Sequence, residues 1–232
     1  MLARAEHGRL VSLKPAFVLC AQTSRMLVAP VDACAKYMLG KTFKPKKGKD
    51  DFGWHSRKLP HLDGEQMAQF VTFRLADSMP QDLLDRWRAE SEDDVEFRKK
   101  IEKYLDAGYG SCCLRMPEVA QVVADSIMFF DGKRFELKAW VIMPNHGHML
   151  IVLRPGEHLS DIMHSIKSYS AKEANKLLGR TGQFWQHESF DRYIRNRKHF
   201  VSVVKYIEEN PVKAGLCGSP EEWKFSSAYA GE

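Results

Sequence analysis

The sequence predicts an α+β fold, a ferredoxin-like antiparallel sheet flanked by helices. Three observations carry this prediction. Gln69–Ala76 alternates and is rich in Phe and Val, which is a strand pattern. Phe135–Met143 and Gly147–Leu153 are two apolar runs interrupted only by Pro144-Asn145, which reads as a hairpin. Stretches with apolar residues at helical spacing lie on both sides of these strands. The resulting order, β-α-α-β-β-α-β-α, is a ferredoxin-like plan with one extra helix.

Taken in chain order, the first strand, Gln69–Ala76, is followed by a helix. Ser78 followed by Pro80 reads as an N-cap with Pro at the helix start, and the helix is expected to run through Trp87, Phe97 and Ile101 to Tyr104. Asp106–Gly110 is a break. Pro117–Phe130 carries apolar residues at 119, 120, 122, 123, 127 and 130, a second helix, and Asp131-Gly132 is the turn into the hairpin. Leu159–Leu178 is a long helix ended by Gly179. A short strand is expected around Gln183–Gln186, and Lys198–Asn210 reads as a final helix stopped by Pro211.

At 232 residues the chain can bury a core without staples. With 44% hydrophobic and 28% charged residues it is an ordinary globular composition, which excludes wholesale disorder. No run of about 18 apolar residues is present, so no transmembrane helix is expected. The five cysteines are an odd set without a CxxC pair, which argues against a disulfide framework or a cysteine zinc site and fits a reducing cytosol. Net charge is +5, unevenly spread: +7 over residues 1–50, −5 over 51–137 and +5 over 138–217. Two basic blocks around an acidic one suggest a polyanionic partner. Residues 1–50 show no sustained periodicity and no clean signal peptide, and Lys41–Lys49 is Lys-rich and broken by Pro and Gly. They read as a poorly ordered basic extension, either solvated or touching nucleic acid, ahead of a folded domain spanning 51–232.

Three groups of residues could carry chemistry. His146 and His148, at i and i+2 on a strand, share a face and can hold one divalent cation as neutral imidazoles. Alone, such a pair is equally a structural one, but two polar rings opening an apolar strand need a reason. Tyr206 and Asn210, four apart, share one face of the last helix. A phenol there is either core packing or a nucleophile able to attack a phosphodiester and store its energy as an ester. An Asn before Pro is either a helix stop or an oxygen ligand suited to Mg²⁺ or Mn²⁺. Last, Gly182–Gln186 and Asp191–Lys198 interleave aromatics with Arg and Lys, as segments that grip single-stranded nucleic acid do, or as a solvated loop with one buried Trp does.

The motifs WVIMPNHGHML, GQFWQ, DRYIRN and YIEENPVKAGL, in this order, together with the helix bearing Lys167, resemble the REP-associated tyrosine transposases of the single-tyrosine HUH superfamily. GWHSRKLPHLDG and FRLADSMP are similar to one branch of these proteins, and the likeness covers roughly residues 53–227. The resemblance implies an HUH endonuclease fold. It also implies metal-dependent single-stranded DNA cleavage and strand transfer through a 5′-phosphotyrosine intermediate on hairpin or palindromic repeat DNA. His146, His148 and Asn210 match its Mg²⁺ or Mn²⁺ ligands and Tyr206 its nucleophile. Lys167, Trp185, Arg192, Arg195 and Lys205 fall where DNA contacts are expected, with Lys205 also a candidate for activating the phenol. A cytoplasmic, nucleoid-associated protein, monomeric or a homodimer, follows from the same resemblance.

One departure stands out. The middle of the His-x-His triplet is Gly147, not a bulky apolar residue, which is expected to weaken strand packing and loosen the two His. It leaves open a catalytically inactive hairpin-binding relative. A replication initiator would need a partner domain for which the chain has no room, and a hydrolase using water on the two His would leave no protein–DNA adduct.

Overall fold

The computed structural model describes residues 53–56, 60–63, 67–91 and 93–231, all within the compact unit Phe43–Glu232. The expected basic extension over residues 1–50 lies outside the described residues. A short antiparallel pair, β1 (Gly53–Ser56) and β2 (Pro60–Asp63), precedes the main sheet. The sheet is built from β3 (Ala68–Arg74), β4 (Phe135–Ile142), β5 (His146–Leu153) and β6 (Phe190–Tyr193) in the order β4-β5-β3-β6, every pair antiparallel. Its helices are α1 (Gln81–Glu90), α2 (Asp94–Asp106), α3 (Pro117–Met128), α4 (Leu159–Leu177) and α5 (Arg197–Lys213). The strand order is that of the ferredoxin-like plan. Among the described residues no helix is long and apolar enough to cross a membrane.

Strand alternation divides the sheet into two faces. Val71, Phe73 and Leu75 of β3 and Met149, Ile151 and Leu153 of β5 pack against Val119, Val123 and Ile127 of α3 and Ile162 and Ile166 of α4, the main core. Phe70, Thr72 and Arg74 of β3 and His146, His148 and Leu150 of β5 point to the other face. There Met79 packs with Phe97, Ile101 and Leu105 of α2 in a smaller apolar cluster. Because both faces are covered, β3 and β5 are buried almost throughout, and the polar residues they carry are buried with them.

Four expectations about elements are corrected. The single helix from Ser78 to Tyr104 is two helices. Asp93 ends the continuity because its carboxylate accepts from the backbone N–H of Val95 and Glu96 (2.8 and 2.7 Å), an N-cap inside what periodicity reads as one helix. Ser78 caps no helix; it is buried and donates to the Leu75 carbonyl (2.8 Å). The strand expected at Gln183–Gln186 is a lone bridge from Trp185 to Leu75, and the fourth strand is Phe190–Tyr193, whose half-buried, polar-rich sequence gives little β signal. Finally, α5 passes through Pro211 to Lys213: near the helix end the missing N–H costs one hydrogen bond and the helix closes on Asn210, Pro211 and Val212 carbonyls.

Gly147 also has a different role from the expected one. It faces the main core directly opposite Phe73 on β3. A Cβ at position 147 would lie 2.5 Å from Phe73 Cζ, and the ring cannot retreat because it is 1% exposed and packs edge-on against Trp185 at 5.2 Å. The aromatic ring of the neighbouring strand occupies the volume that a bulky residue between the two His would fill, so the glycine tightens the strand pair. We expect Gly147→Val to lower stability by about 2–3 kcal/mol through overpacking. Adding Phe73→Ala should recover part of that loss, giving an interaction energy above about 1 kcal/mol in urea unfolding. Strict additivity of the two changes would refute the packing account.

Candidate active site

The His pair is positioned by the β4–β5 turn. Asn145 is fully buried; its Nδ2 donates to the Tyr109 carbonyl (2.9 Å), which orients the amide so that Oδ1 meets His146 Nδ1 at 2.7 Å. The turn backbone is tied down on both sides, Leu75 N–H to the Asn145 carbonyl (2.9 Å) and Leu114 N–H to the Pro144 carbonyl (3.1 Å). His148 is cross-strand from Thr72, and its Nδ1 meets Thr72 Oγ1 at 2.9 Å. Asn145 Oδ1 accepts from His146 Nδ1–H, which leaves His146 Nε2 unprotonated and turned inward. Thr72 Oγ1 both donates and accepts, so His148 fits the network either with Nδ1–H on Thr72 or with Nε2–H donated to His146 Nε2. The two Nε2 atoms are 3.1 Å apart.

Burial keeps both imidazoles neutral. His146 is pushed down to about 3, and His148 well below its ordinary value by burial, by His146 and by Arg192. At this distance the neutral rings either share one Nε2–H···Nε2 hydrogen bond or, with both protons on Nδ1, turn two lone pairs toward a common point that a cation would occupy.

From the opposite side α5 brings Tyr206 and Asn210. Tyr206 packs edge-on to His148 (5.4 Å) and to Phe70 (5.9 Å), and Phe70 in turn stacks on His148 (5.2 Å, 22°). Tyr206 Oη and both side-chain polar atoms of Asn210 are buried and, among the described residues, make no well-formed hydrogen bond; Asn210 lies against the phenol and against the Asp106 carboxyl. The same holds for Oδ1 of Asp106, at the end of α2, 3.7 Å from His146 Nε2. Burial, then the carboxylates of Glu102 and Asp106, hold the Tyr206 phenol far above its usual range; Arg192 opposes them. Burial and Glu102 raise Asp106 to about 6. A cation among these atoms would give each of them a partner. Among the described residues no three His, Cys, Asp or Glu side chains form a ready ligand cluster; the donors present are two imidazoles, an amide and one neighbouring carboxylate, a mixed N/O set that fits a divalent cation.

Sequence reasoning thus assembled four residues that the fold does bring together: His146, His148, Tyr206 and Asn210. It overlooked Thr72, Asn145 and Asp106. Asn145 stood inside the motif but read only as a turn, and Thr72 and Asp106 become neighbours of the His pair only through strand register and helix packing.

The expected DNA-facing residues scatter. Arg192 lies over the Phe70 ring (4.8 Å), beside the site. Trp185 is built into the core, 4% exposed, with Nε1–H donating to Ser170 Oγ (2.9 Å). Lys167 Nζ donates to the carbonyls of Gln186 and His187 (3.0 and 3.2 Å), and burial lowers it to about 8. Arg195 is exposed at the start of α5. Lys205 is exposed and faces Glu209 (3.4 Å), so it is turned away from the phenol it adjoins in sequence.

The neutral His pair makes a pH prediction for metal-free protein. The unfolded chain takes up protons near pH 6.5 that folded His146 and His148 refuse, so stability falls as pH drops below about 6.5. For His146, with a folded value of about 3, the loss is about 2 kcal/mol by pH 5. Asp106 acts in the opposite sense, since between about 4 and 6 the folded state holds a proton the unfolded chain releases. Urea unfolding in chelator at pH 7, 6 and 5 should therefore show a fall that is shallower in His146→Gln and steeper in Asp106→Asn.

Comparison with known proteins agrees with this geometry. Residues 118–210, from α3 to Asn210, match the family described as Transposase IS200 like. A REP-associated tyrosine transposase of Escherichia coli (strain K12) is 34% identical over 96 residues, covering 41% of this chain and 55% of that protein. The chain spans little more than half the length of the curated relatives it matches, 55% and 60%. A solved REP-associated tyrosine transposase bound to a REP hairpin shares 23% identity over 71% of this chain and 78% of its own, with a TM-score of 0.46. The stretch 118–210, which spans both His, the tyrosine and the asparagine, is thus the part of the chain that is similar to the IS200-like transposases and to curated REP-associated tyrosine transposases.

Proposed function

We propose that this protein cleaves single-stranded DNA beside a hairpin and rejoins it through a 5′-phosphotyrosine bond to Tyr206, using Mg²⁺ or Mn²⁺ held by His146, His148 and Asn210. One observation carries the reading. Tyr206 Oη and the Asn210 amide, one helical turn apart, are buried beside two neutral His nitrogens 3.1 Å apart, and among the described residues they make no well-formed hydrogen bond, their polar neighbours being each other and Asp106. A core tyrosine would have found a hydrogen bond there. The names of the relatives add the substrate class: one solved relative is bound to a REP hairpin.

In this reaction the phenol oxygen of Tyr206 attacks the scissile phosphorus and loses its proton. The bond from phosphorus to the 3′ oxygen breaks, and that oxygen leaves as a 3′-OH after taking up a proton. The 5′ phosphate stays on the protein as an ester. Attack by another 3′-OH reverses the step and joins new ends, so no nucleotide cofactor is consumed. A bound divalent cation supplies charge for the phosphoryl oxygens and favours the phenolate. The chain's own residues do the rest. Asn145 and Thr72 hold the two rings in place, Phe70 supports His148 and Tyr206, and Arg192 sets a positive charge beside the phenol. The rival reading of an inactive hairpin binder drew on Gly147, and the Phe73 ring in that space removes the reason for it. The reading places the protein with chromosomal DNA in the cytoplasm.

The test is a denaturing gel of the protein with labelled single-stranded hairpin DNA and Mn²⁺, with and without chelator. A shifted, metal-dependent covalent band is expected for wild type. Tyr206→Phe should lose the band and keep hairpin binding. Cleavage with no band would overturn the tyrosine mechanism in favour of hydrolysis by water.

A further inference from the structure

We propose that Asp106 is a ligand of the same divalent cation, so that the centre is held by two imidazoles and a carboxylate from α2 in addition to the Asn210 amide; this rests on the metal reading above. The geometry comes first. Ligand atoms about 2.0–2.2 Å from one ion stand roughly 3–4 Å from each other. The His146–His148 nitrogens at 3.1 Å and the His146 Nε2–Asp106 Oδ1 pair at 3.7 Å both fall in that range. Asp106 Oδ1 is buried with no well-formed hydrogen bond among the described residues, and the Asn210 amide lies against the same carboxyl.

The placement of Asp106 is fixed from two directions. It is the last residue of α2, whose Phe97, Ile101 and Leu105 are anchored in the apolar cluster on that face of the sheet. The loop that follows is pinned to the His turn, because Asn145 Nδ2 donates to the Tyr109 carbonyl while Asn145 Oδ1 meets His146 Nδ1. One side chain therefore sets both the orientation of a His ligand and the position of the helix end that carries the carboxylate. A helix C-terminus is also the negative end of its dipole, a favourable place for a cation.

Charge supplies the second argument. Two neutral imidazoles and an amide bring no negative charge into a buried pocket, and a dication stripped of water among neutral donors is poorly compensated. Asp106 provides one formal negative charge at the site. It also changes metal preference: imidazoles alone favour Zn²⁺, whereas an added carboxylate oxygen suits Mn²⁺ and Mg²⁺.

The experiment measures Mn²⁺ and Zn²⁺ binding to the purified full chain without DNA, by calorimetry and by the Mn²⁺ paramagnetic resonance signal. Wild type, Asp106→Asn, Asp106→Glu and His148→Ala are compared. Asp106→Asn is nearly isosteric and removes a buried carboxylate, so its metal-free fold, read by near-ultraviolet circular dichroism, should match wild type. We expect Asp106→Asn to weaken Mn²⁺ binding about tenfold or more. Zn²⁺ binding should weaken less, so that the Mn²⁺/Zn²⁺ preference falls, with Asp106→Glu recovering part of it. A purely structural role for Asp106 would leave that ratio unmoved. Unchanged Mn²⁺ affinity in Asp106→Asn, with His148→Ala still abolishing it, would overturn this assignment and leave the metal reading standing. Absence of Mn²⁺ binding in wild type would overturn both.

Discussion

The register of β3 against β5 is the constraint on which the site depends. A one-residue slip in either strand would exchange its two faces. Thr72 and Arg74 would enter the apolar layer with α3 and α4, and the two His would lose both their partners and the pocket. The register is held by shape as much as by hydrogen bonds. Phe73 and Gly147 fit only when opposite each other, and Thr72 and His148 are the next pair along. Packing on one face of the sheet thereby sets polar geometry on the other.

That geometry carries an energetic burden. Four side chains in or beside the site hold buried polar atoms without a well-formed hydrogen bond among the described residues: Asp106 Oδ1, Tyr206 Oη, the Asn210 amide, and Arg74 Nε, whose guanidinium otherwise bonds to Ser78 and Met79. Each such atom is of the kind that costs about 1–3 kcal/mol when left alone. The main core, on the far face, is continuous and apolar and supplies the compensating burial. Stability and chemistry are thus divided between the two faces of one four-stranded sheet, with β3 and β5 serving both.

Much of this was legible in the sequence, and the failures have physical reasons. The hairpin could be read because Pro144-Asn145 separates two strongly apolar runs, and α3 and α4 because their periodicity is long and clean. The ferredoxin-like plan followed from their order. The N-cap at Asp93 was missed because the spacing of Trp87, Phe97 and Ile101 continues in phase across it. The strand Phe190–Tyr193 was missed because an edge strand with half-buried residues needs no alternation. His146, His148, Tyr206 and Asn210 were legible as local spacings, one on a strand and one on a helix. Thr72 and Asp106 were not, since nothing near them in sequence marks them; they join the site through pairing and packing. For Trp185 composition left two readings, a stacking platform and a buried Trp, and the structure takes the second: its N–H meets Ser170 Oγ in the core.

The glycine between the two histidines carries a consequence for how such proteins are recognised. Its bulky neighbour has been relocated from the motif to the adjoining strand, 74 positions away. Changing either residue alone leaves a clash or a hole, so the two positions are coupled across the strand pair. A search that demands a large residue between the His will pass over chains of this kind. One that reads the middle of the triplet jointly with its cross-strand partner will find them, and will sort the lineages by which strand supplies the ring.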